Sequence, residues 1–283
     1  MNSQALSMTN TDATISSKKV AVPLRSKSTR LPVFGAGMFG VALLLVLWQI
    51  YALVERARTV GTGYSIPTVD EVLFESTSLL TDPFFYSVLF STFGTWFVGL
   101  TASVLLAVPL GILLGMHPRI YRMIRIPVEL LRPLPPIVLL PIAFLILGSG
   151  LEFQVVLIMQ GAFWPLFIQT TYGVAYTDKT LIETMQVYRI GKIREAIFVR
   201  GASALPIITT ALKIGAAAAF AIAIMTEFIG GANGIGRDML TAQAADDVTR
   251  TYLLTFVCGV CGMAIMQIFG WVENYAAKFA PGE

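Results

Sequence analysis

Few side chains in this sequence have the types and spacing that enzymatic chemistry requires. The chain has one histidine, His117, and two cysteines, Cys258 and Cys261, which form a CxxC pair inside an apolar stretch. A CxxC pair without further ligands or a polar redox loop is typical of buried packing. No GxxxxGK[ST] phosphate-binding loop occurs in the sequence. We therefore predict no catalytic residue, no metal site and no cofactor, and any ATP hydrolysis must come from a partner.

The composition indicates a membrane protein. Of the 283 residues, 55% are hydrophobic and 13% are charged, and the mean hydropathy is +0.73, whereas a soluble domain carries about 25% charged residues. So few charged side chains cannot cover the water-facing surface of soluble domains of this total length. The net charge of +3 is too small to indicate binding to nucleic acid. We expect membrane lipid around the chain, and no nucleic-acid partner.

Six apolar stretches are long enough to cross a hydrocarbon core about 30 Å thick as helices. They are residues 33–54, 87–116, 126–148, 153–175, 207–229 and 252–272. The tails and connections on one side hold fourteen Lys and Arg residues, and those on the other side hold four. Because positive residues accumulate in the cytoplasm, we expect a multi-pass protein of the bacterial inner or plasma membrane with both termini cytoplasmic.

The same pattern predicts the domain organisation of an all-α membrane protein. A polar, basic segment at residues 1–32 is expected to be a disordered cytoplasmic tail. The six-helix domain is expected at 33–275, with a short cytoplasmic tail at 276–283. On the outer side, Pro67 followed by Asp70 and Glu71 predicts a short surface helix. The glycine-rich stretch 230–250 is expected to fold into the mouth of a pathway without a rigid helix.

The third span is interrupted by prolines. Residues 131–136 read Leu-Arg-Pro-Leu-Pro-Pro, and Pro141 follows. Proline removes backbone donors, and unpaired carbonyls facing lipid would each cost several kcal/mol. This stretch should therefore face protein or water. It is either a broken helix that lines a pathway, with Arg132, Pro133, Pro135 and Pro136 as candidates, or a kink that only assists packing.

Other polar residues within the spans are also candidates for a pathway. Arg132 lies three residues after Glu129, so it either forms an ion pair with it or contributes positive potential to an anion path. Gln160 and Trp164 share a helix face by their spacing. For Glu227 we favour a structural or gating contact to the glycine-rich stretch over direct binding of the solute, because a carboxylate repels an anion. Lys213 is expected to extend its amine toward the membrane surface, and Gly111 with Gly115 predicts a helix-packing face.

The longest internal connection, residues 176–205, predicts two short amphipathic helices. Thr177 or Asp178 is suited to cap the first helix, and Gly191 is expected to end it. A second amphipathic segment leads toward Pro206. Such a protrusion suits either a groove on a soluble partner or the surface of the bilayer.

Three spaced groups of residues together resemble one family. They are Leu131 to Pro136 with Pro141, Gly161 to Pro165 leading to Gly173 and Val174, and Thr226 to Gly230 leading to Asn233, Gly234, Ile235 and Gly236. From about residue 40 to 278 the chain resembles the permease subunits of ABC importers, in the branch for nitrate, sulfonates and taurine. The resemblance implies a type I importer transmembrane fold. It also implies three kinds of partner: cytoplasmic ABC ATPase subunits, an extracytoplasmic solute-binding protein, and a second permease subunit that is a copy or a close relative.

The resemblance places the ATPase-coupling segment within residues 177–206. The family pattern is Glu-Ala-Ala, three residues, Gly, and a terminal Leu-Pro, and it is matched here at Glu183, Leu205 and Pro206. Thr184 and Met185 replace the two alanines. Arg189 stands where glycine is usual, and Gly191 follows two positions later. Because small residues permit close approach of the ATPase, the bulkier Met185 and Arg189 imply a differently shaped groove or altered coupling.

The sequence therefore predicts the permease subunit of an ATP-driven importer, which moves a small anionic solute by alternating access. Two alternatives remain open. A secondary carrier is disfavoured because the sequence shows neither repeated halves nor paired acidic residues at mid-span. A membrane scaffold would use the cytoplasmic helices to recruit a partner without transporting a solute.

Overall fold

The computed structural model of the chain describes residues 33–58 and 66–278. Regular structure in these two ranges is entirely helical. The α-helices are α1 (Val33–Arg58), α2 (Val69–Thr81), α3 (Pro83–Met116), α4 (Pro118–Leu131), α5 (Pro136–Leu147), α6 (Leu151–Ala175), α7 (Lys179–Val187), α8 (Lys192–Arg194), α9 (Ala202–Gly230), α10 (Ile235–Ala244) and α11 (Val248–Ala277). A π-helix, Glu195–Gly201, joins α8 to α9. The predicted tail at 1–32 and residues 279–283 lie outside the described residues.

Five helical stretches in the described ranges are long and apolar enough to cross a membrane. They are Gly37–Arg58, Pro83–Met116, Leu151–Ala175, Lys192–Gly230 and Val248–Ala277. The remaining predicted span, 126–148, is not one straight helix but the pair α4 and α5, which meet at an angle of 88°. The bend has a local cause, because the prolines between Leu131 and Val138 cannot donate the bonds that would continue α4.

Close packing of α3 against α6 shows that α4 and α5 together cross the membrane. The contacting pairs are Gly99 with Ile158, Gly111 with Thr170 and Gly115 with Val174, where a Cβ on the glycine would lie 2.6 to 2.7 Å from its partner's Cβ. Residue numbers rise together along the two helices, so they run parallel. The chain leaves α3 at one end and enters α6 at the other, and only α4 and α5 lie between. The prediction of six crossings is thereby confirmed, as is the packing role of Gly111 and Gly115.

Helix α9 runs antiparallel to α6, and α11 runs antiparallel to α9. Gly173 near the end of α6 approaches Ala204 near the start of α9, whereas Phe153 near the start of α6 packs against Gly230. Gly270, late in α11, lies beside Lys213, early in α9. The α7 end of this helix bundle therefore holds the C-terminal ends of α3, α6 and α11. We call the opposite end, which holds their N-terminal ends, the α10 end.

A short helix follows Pro67, as predicted. Glu71 in the first turn of α2 accepts a hydrogen bond from the Thr68 amide at 2.9 Å and lies 2.8 Å from the Arg56 guanidinium. These two donors hold the pKa of the Glu71 carboxyl below its ordinary value. Asp70 accepts a hydrogen bond from the side chain of Gln49 at 2.9 Å. The start of α2 is therefore held against the end of α1.

The glycine-rich stretch differs from the prediction, because it contains the ten-residue helix α10. Gly231 and Gly234 have φ values of +69° and +152°, which suit glycine. These two residues reverse the chain after α9. The following residues, from Ile235 onward, then form a regular helix that folds back onto α3 and α9.

We expect Gly115→Ala to destabilise the protein by about 1–3 kcal/mol, because the new methyl group would overpack a backbone that cannot move aside. A Cβ at Gly115 would lie 2.7 Å from the carbonyl oxygen of Thr171. Gly94→Ala is the matched control, since nothing lies within 4 Å of that position on the same helix. Thermal unfolding in detergent, followed by circular dichroism, measures the difference. Equal midpoints for the two variants would contradict the assigned α3–α6 contact.

Candidate translocation pathway and coupling segment

The break between α4 and α5 is stabilised from a neighbouring helix. The Leu134 carbonyl accepts a hydrogen bond from Nε2 of Gln160 on α6 at 3.0 Å. Gln160 thus supplies the donor that the proline-rich backbone lacks, which is how a broken helix is tolerated in a membrane. Gln160 lies about 14 Å along α6 from Leu151, and α6 is about 37 Å long. The break between α4 and α5 therefore lies beside the middle third of α6.

Two buried polar atoms without partners lie near this break. Gln160 Oε1 and Trp164 Nε1 are buried and have no hydrogen-bond partner among the described residues. Both side chains are on one face of α6, as their spacing predicts. The neighbouring Gly161 has no room for a side chain, because a Cβ there would collide with Ile222 of α9 and lie 3.5 Å from Pro136. Helices α5, α6 and α9 thus meet at the break.

Arg132 lies at the C-terminal end of α4, and the first of its two predicted alternatives, an ion pair with Glu129, is not formed. Glu129 instead accepts a hydrogen bond from Arg125 at 2.6 Å, one turn earlier on the straight part of α4. Arg132 caps the helix where the chain turns away. It is exposed, and none of the described residues forms an ion pair with it. Pro133 and Pro135 are exposed beside it, and Pro136 is half-buried.

Glu227 fastens α10 to two transmembrane helices. Its side chain is fully buried near the end of α9. Oε2 accepts a hydrogen bond from the Gly236 amide at 3.0 Å and lies 3.0 Å from the Thr92 hydroxyl of α3. The Thr92 oxygen in turn accepts a hydrogen bond from the Ile235 amide at 2.9 Å. The carboxylate and the hydroxyl thus satisfy two amides in the first turn of α10, which also carries a partial positive charge.

The space around this carboxylate excludes other side chains. A Cβ at Gly234 would collide with the Glu227 carboxylate, and one at Gly236 with the Ile224 carbonyl. Ser91 adds a hydrogen bond to the Asn233 carbonyl at 3.0 Å. The predicted contact of Glu227 with the glycine-rich stretch is therefore present. Thr92 could not be identified from the sequence, because no local pattern indicates a contact across 135 positions.

A cleft of about 480 Å³ lies beside this contact, between α3 and α10. Its polar lining comprises Ser87, Ser91, Asn233, Arg237, Asp238 and Thr241. Arg237 donates to Asn233 Oδ1 at 2.7 Å, and Asp238 forms an ion pair with Arg250 at 3.0 Å. The guanidinium of Arg237 and the carboxylate of Asp238 are therefore already bonded to other side chains of this protein.

At the α7 end, the segment that is predicted to couple to the ATPase begins with one of its two candidate caps. Asp178 caps α7 by accepting a hydrogen bond from the Thr180 amide at 2.8 Å. Glu183 and Thr184 are exposed on α7, and Met185 is half-buried. After α7 the chain turns at Arg189, a non-glycine residue with a φ of +51°. This left-handed conformation costs about 1–2 kcal/mol for an L-residue with a Cβ.

The second half of the segment differs from the prediction of a separate short helix. After Gly191 the chain forms α8 and the π-helix, which continue directly into α9. Leu205 and Pro206 therefore lie inside the first turns of α9 rather than at the end of a loop. Glu195 and Arg200 form an ion pair at 2.8 Å, with 12% and 14% of their side-chain surfaces exposed. Their spacing of five residues suits the i to i+5 pattern of a π-helix.

Two further expectations concern α9 and α11. The amine of Lys213, which is predicted to extend toward the membrane surface, pairs with Glu273 of α11 at 3.1 Å. Thr210 also donates to Glu273, at 2.6 Å, so this carboxylate joins the two helices near the α7 end. Cys258 and Cys261 are free, half-buried thiols within α11.

This arrangement is that of a polytopic helical membrane protein with one broken span and a structured segment at one end. Residues 107–278 match the family model described as binding-protein-dependent transport system inner membrane component. The chain belongs to this family. It is an ABC importer permease subunit of the inner membrane, in the nitrate, sulfonate and taurine branch, and ATP hydrolysis takes place on a separate ATPase subunit.

Individual relatives agree with this assignment. The nitrate import permease protein NrtB of Synechocystis sp. is 25% identical over 243 residues, which cover 83% of this chain and 86% of that protein. The taurine transport system permease protein TauC of Escherichia coli is 27% identical over 175 residues, covering 62% of this chain and 61% of that protein. A chain of the inward-facing MetNI methionine ABC transporter superposes with a TM-score of 0.61 at 19% identity, covering 68% and 96% of the two chains. The type I importer fold is thereby confirmed.

We expect Glu227→Ala to release α10, because the Gly236 amide and the Thr92 hydroxyl would lose their buried acceptor, at a cost of about 1–3 kcal/mol. Hydrogen exchange followed by mass spectrometry should show faster exchange in residues 235–244. Glu227→Gln retains an acceptor oxygen and should have a smaller effect. Glu152→Ala, at an exposed position on the α10 end, is the control and should leave this exchange unchanged. Unaltered protection of α10 in Glu227→Ala would exclude the anchoring role.

Proposed function

We propose that this permease subunit imports a small anionic solute of the nitrate, sulfonate or taurine class by alternating access. The observation that carries the choice of an anion is Arg132 at the break between α4 and α5. Its neighbour Leu134 is bonded to Gln160 in the middle third of α6. A cation at this depth costs about 2.5–3.5 kcal/mol or more if it faces lipid. No described residue neutralises Arg132, so its side chain is more stable facing a water-filled pathway than facing lipid.

The pathway forms where the broken span meets α6. We assign Arg132, Pro133, Pro135, Pro136, Gln160 and Trp164 to it, with Glu227 at its α10 end. The unpartnered atoms Gln160 Oε1 and Trp164 Nε1 are positioned to exchange hydrogen bonds with solute or water. The names of two relatives, for nitrate and for taurine, support a small solute that carries negative charge.

A second permease subunit completes the pathway in this proposal. Helix α5 exposes large apolar side chains, with Leu145 at 86% and Ile146 at 73%. Such a surface requires lipid or another protein around it. A second copy or a close relative that packs near α4 and α5 would enclose Arg132 between the two subunits, while lipid covers the outer surfaces of the helices.

The α7 end faces the cytoplasm in this proposal, together with both termini and the tail at 1–32. The excess of Lys and Arg in the segments assigned to this side supports that orientation. The coupling segment, with Glu183, Thr184, Met185, Arg189 and Gly191, then meets the ABC ATPase, and Leu205 and Pro206 join it to α9. The cleft between α3 and α10 opens toward the extracytoplasmic solute-binding protein.

Reconstitution of the permease in liposomes tests this function. We expect nitrate or taurine uptake only when the cognate ATPase, the binding protein and ATP are all present, because this chain has no phosphate-binding loop of its own. A protonophore should not reduce that uptake. Uptake driven by an ion gradient without ATP would instead establish a secondary carrier. Retention of the ATPase without uptake under either condition would establish a scaffold.

In the same liposomes, Arg132→Gln should reduce anion uptake at least about tenfold. A unit charge a few ångströms from an anion contributes several kcal/mol in a partly desolvated pathway, and about 1.4 kcal/mol is a factor of ten. Arg132→Lys keeps the charge and should retain more transport. Arg122→Gln, an exposed change earlier on α4, serves as the matched control. Unchanged affinity and rate in Arg132→Gln would remove Arg132 from the pathway.

A further inference from the structure

The helical segment that leads into α9 exposes a stripe of large apolar side chains. Ile193, Ile197 and Phe198 have 78%, 56% and 71% of their surfaces exposed. They are four and five residues apart, so the i to i+5 bonding of the π-helix brings them to one face. Glu195 and Arg200 are mostly buried and pair with each other at 2.8 Å on the other side. The segment is therefore amphipathic, with its apolar side uncovered.

Two exposed cations flank this stripe. Lys192 and Arg194 are the sequence neighbours of Ile193, and both are exposed. Within the described part of the chain, neither forms an ion pair. The nearest carboxylate in sequence, that of Glu195, already accepts a hydrogen bond from Arg200. We call the two cations and the three apolar residues together the boundary surface, which comprises Lys192, Ile193, Arg194, Ile197 and Phe198.

The boundary surface lies near the level at which the transmembrane helices end. At Gly201, the last residue of the π-helix, a Cβ would lie 4.0 Å from Cδ1 of Ile112 on α3. Ile112 is about 6 Å from the end of α3 at Met116. The exposed stripe continues from Phe198 to Leu205, seven residues later on the same face of α9. Lipid that surrounds α9 therefore reaches the boundary surface as well.

The composition of the boundary surface suits anionic lipid. Water would leave three large apolar side chains exposed in one patch. An apolar helix face at the membrane boundary, with cations beside it, is typical of a segment that contacts anionic headgroups. Lys192 and Arg194 can lay their methylene groups along the stripe while their charged ends reach a phosphate. An open hollow of about 650 Å³ at residues 188–194 offers room for a headgroup beside them.

We infer that the boundary surface binds an anionic phospholipid of the cytoplasmic leaflet. Lys192 and Arg194 contact the phosphate, and the apolar stripe lies among the acyl chains. The choice of leaflet rests on the proposed function, which places the α7 end in the cytoplasm, whereas the lipid contact itself does not. This contact leaves α7 to meet the ATPase. It holds the start of α9 at a fixed depth, so it links the lipid composition of the membrane to the coupling segment.

Hydrogen exchange of residues 192–201 in lipid nanodiscs tests the inference. The full-length permease is placed in nanodiscs of phosphatidylcholine alone, or of equal parts of phosphatidylcholine and phosphatidylglycerol, and exchange is followed by mass spectrometry. We expect phosphatidylglycerol to slow the exchange at least about fivefold, because each cation near an anionic surface contributes about that factor and bound lipid opposes local opening. Lys192→Gln combined with Arg194→Gln should abolish the difference between the two lipids.

Matched variants separate charge, apolar insertion and fold. Lys192→Arg combined with Arg194→Lys keeps both charges and should keep the effect of phosphatidylglycerol. Arg119→Gln combined with Arg122→Gln removes two exposed cations of α4 and should also leave the effect on residues 192–201 intact. Phe198→Ser should speed exchange in both kinds of nanodisc, because it weakens insertion without changing charge. Exchange in α6 is the check that each variant is folded.

Several results would overturn the inference. Equal exchange of the wild type in the two lipids would exclude a preference for anionic headgroups. Inorganic phosphate that slows exchange in phosphatidylcholine nanodiscs as much as phosphatidylglycerol does would assign the boundary surface to a free anion. Protection that requires added ATPase would assign it to that partner.

Failure of the proposed function is observed separately. It would appear as the absence of ATP-driven uptake in liposomes, or as labelling of Lys179→Cys by an impermeant maleimide from outside the cell, with the wild type as the control for the native thiols. Neither result changes the comparison of lipids in nanodiscs. Outside labelling together with protection by phosphatidylglycerol would overturn the choice of leaflet and retain the lipid contact.

Discussion

Inside a bilayer every backbone amide and carbonyl needs a partner within the protein, and this constraint governs the structure. Continuous helices satisfy it along α3, α6, α9 and α11. It is met differently at the break between α4 and α5, where Gln160 of α6 supplies a donor to the Leu134 carbonyl. The break can therefore place Arg132 and several prolines at membrane depth without exposing unpaired backbone to lipid.

The lipid environment also explains the prominence of glycine and small residues in the helix contacts. Apolar burial alone does not drive helices together in lipid, so close packing must do so. Gly99, Gly111 and Gly115 bring α3 against α6, and Gly161 and Gly173 bring α6 against α9. These contacts form the frame on which the broken span and α10 are mounted.

Helix α9 connects the two ends of this frame. It continues without interruption from the coupling segment, so that Lys192–Gly230 is one long helical stretch. The Glu195–Arg200 pair lies at its start and Glu227 near its end, about 48 Å away at 1.5 Å per residue. One end contacts the segment assigned to the ATPase, and the other holds α10 at the proposed outer mouth. Lys213 and Glu273 additionally join α9 to α11.

The membrane class, the number of crossings and the break at residues 131–136 could be predicted from the sequence, because each depends on local composition or spacing. The sequence also narrowed the cap of α7 to Thr177 or Asp178, and the structure selects Asp178. Which polar groups meet depends on how the helices pack. Glu129 pairs with Arg125 rather than Arg132, Lys213 pairs with Glu273, and Glu227 meets Thr92 across 135 positions. The left-handed turn at Arg189 and the helix α10 were likewise settled by backbone geometry. Periodicity specifies which face of a helix is apolar, but the partner of a polar side chain depends on which helices pack together and at what height.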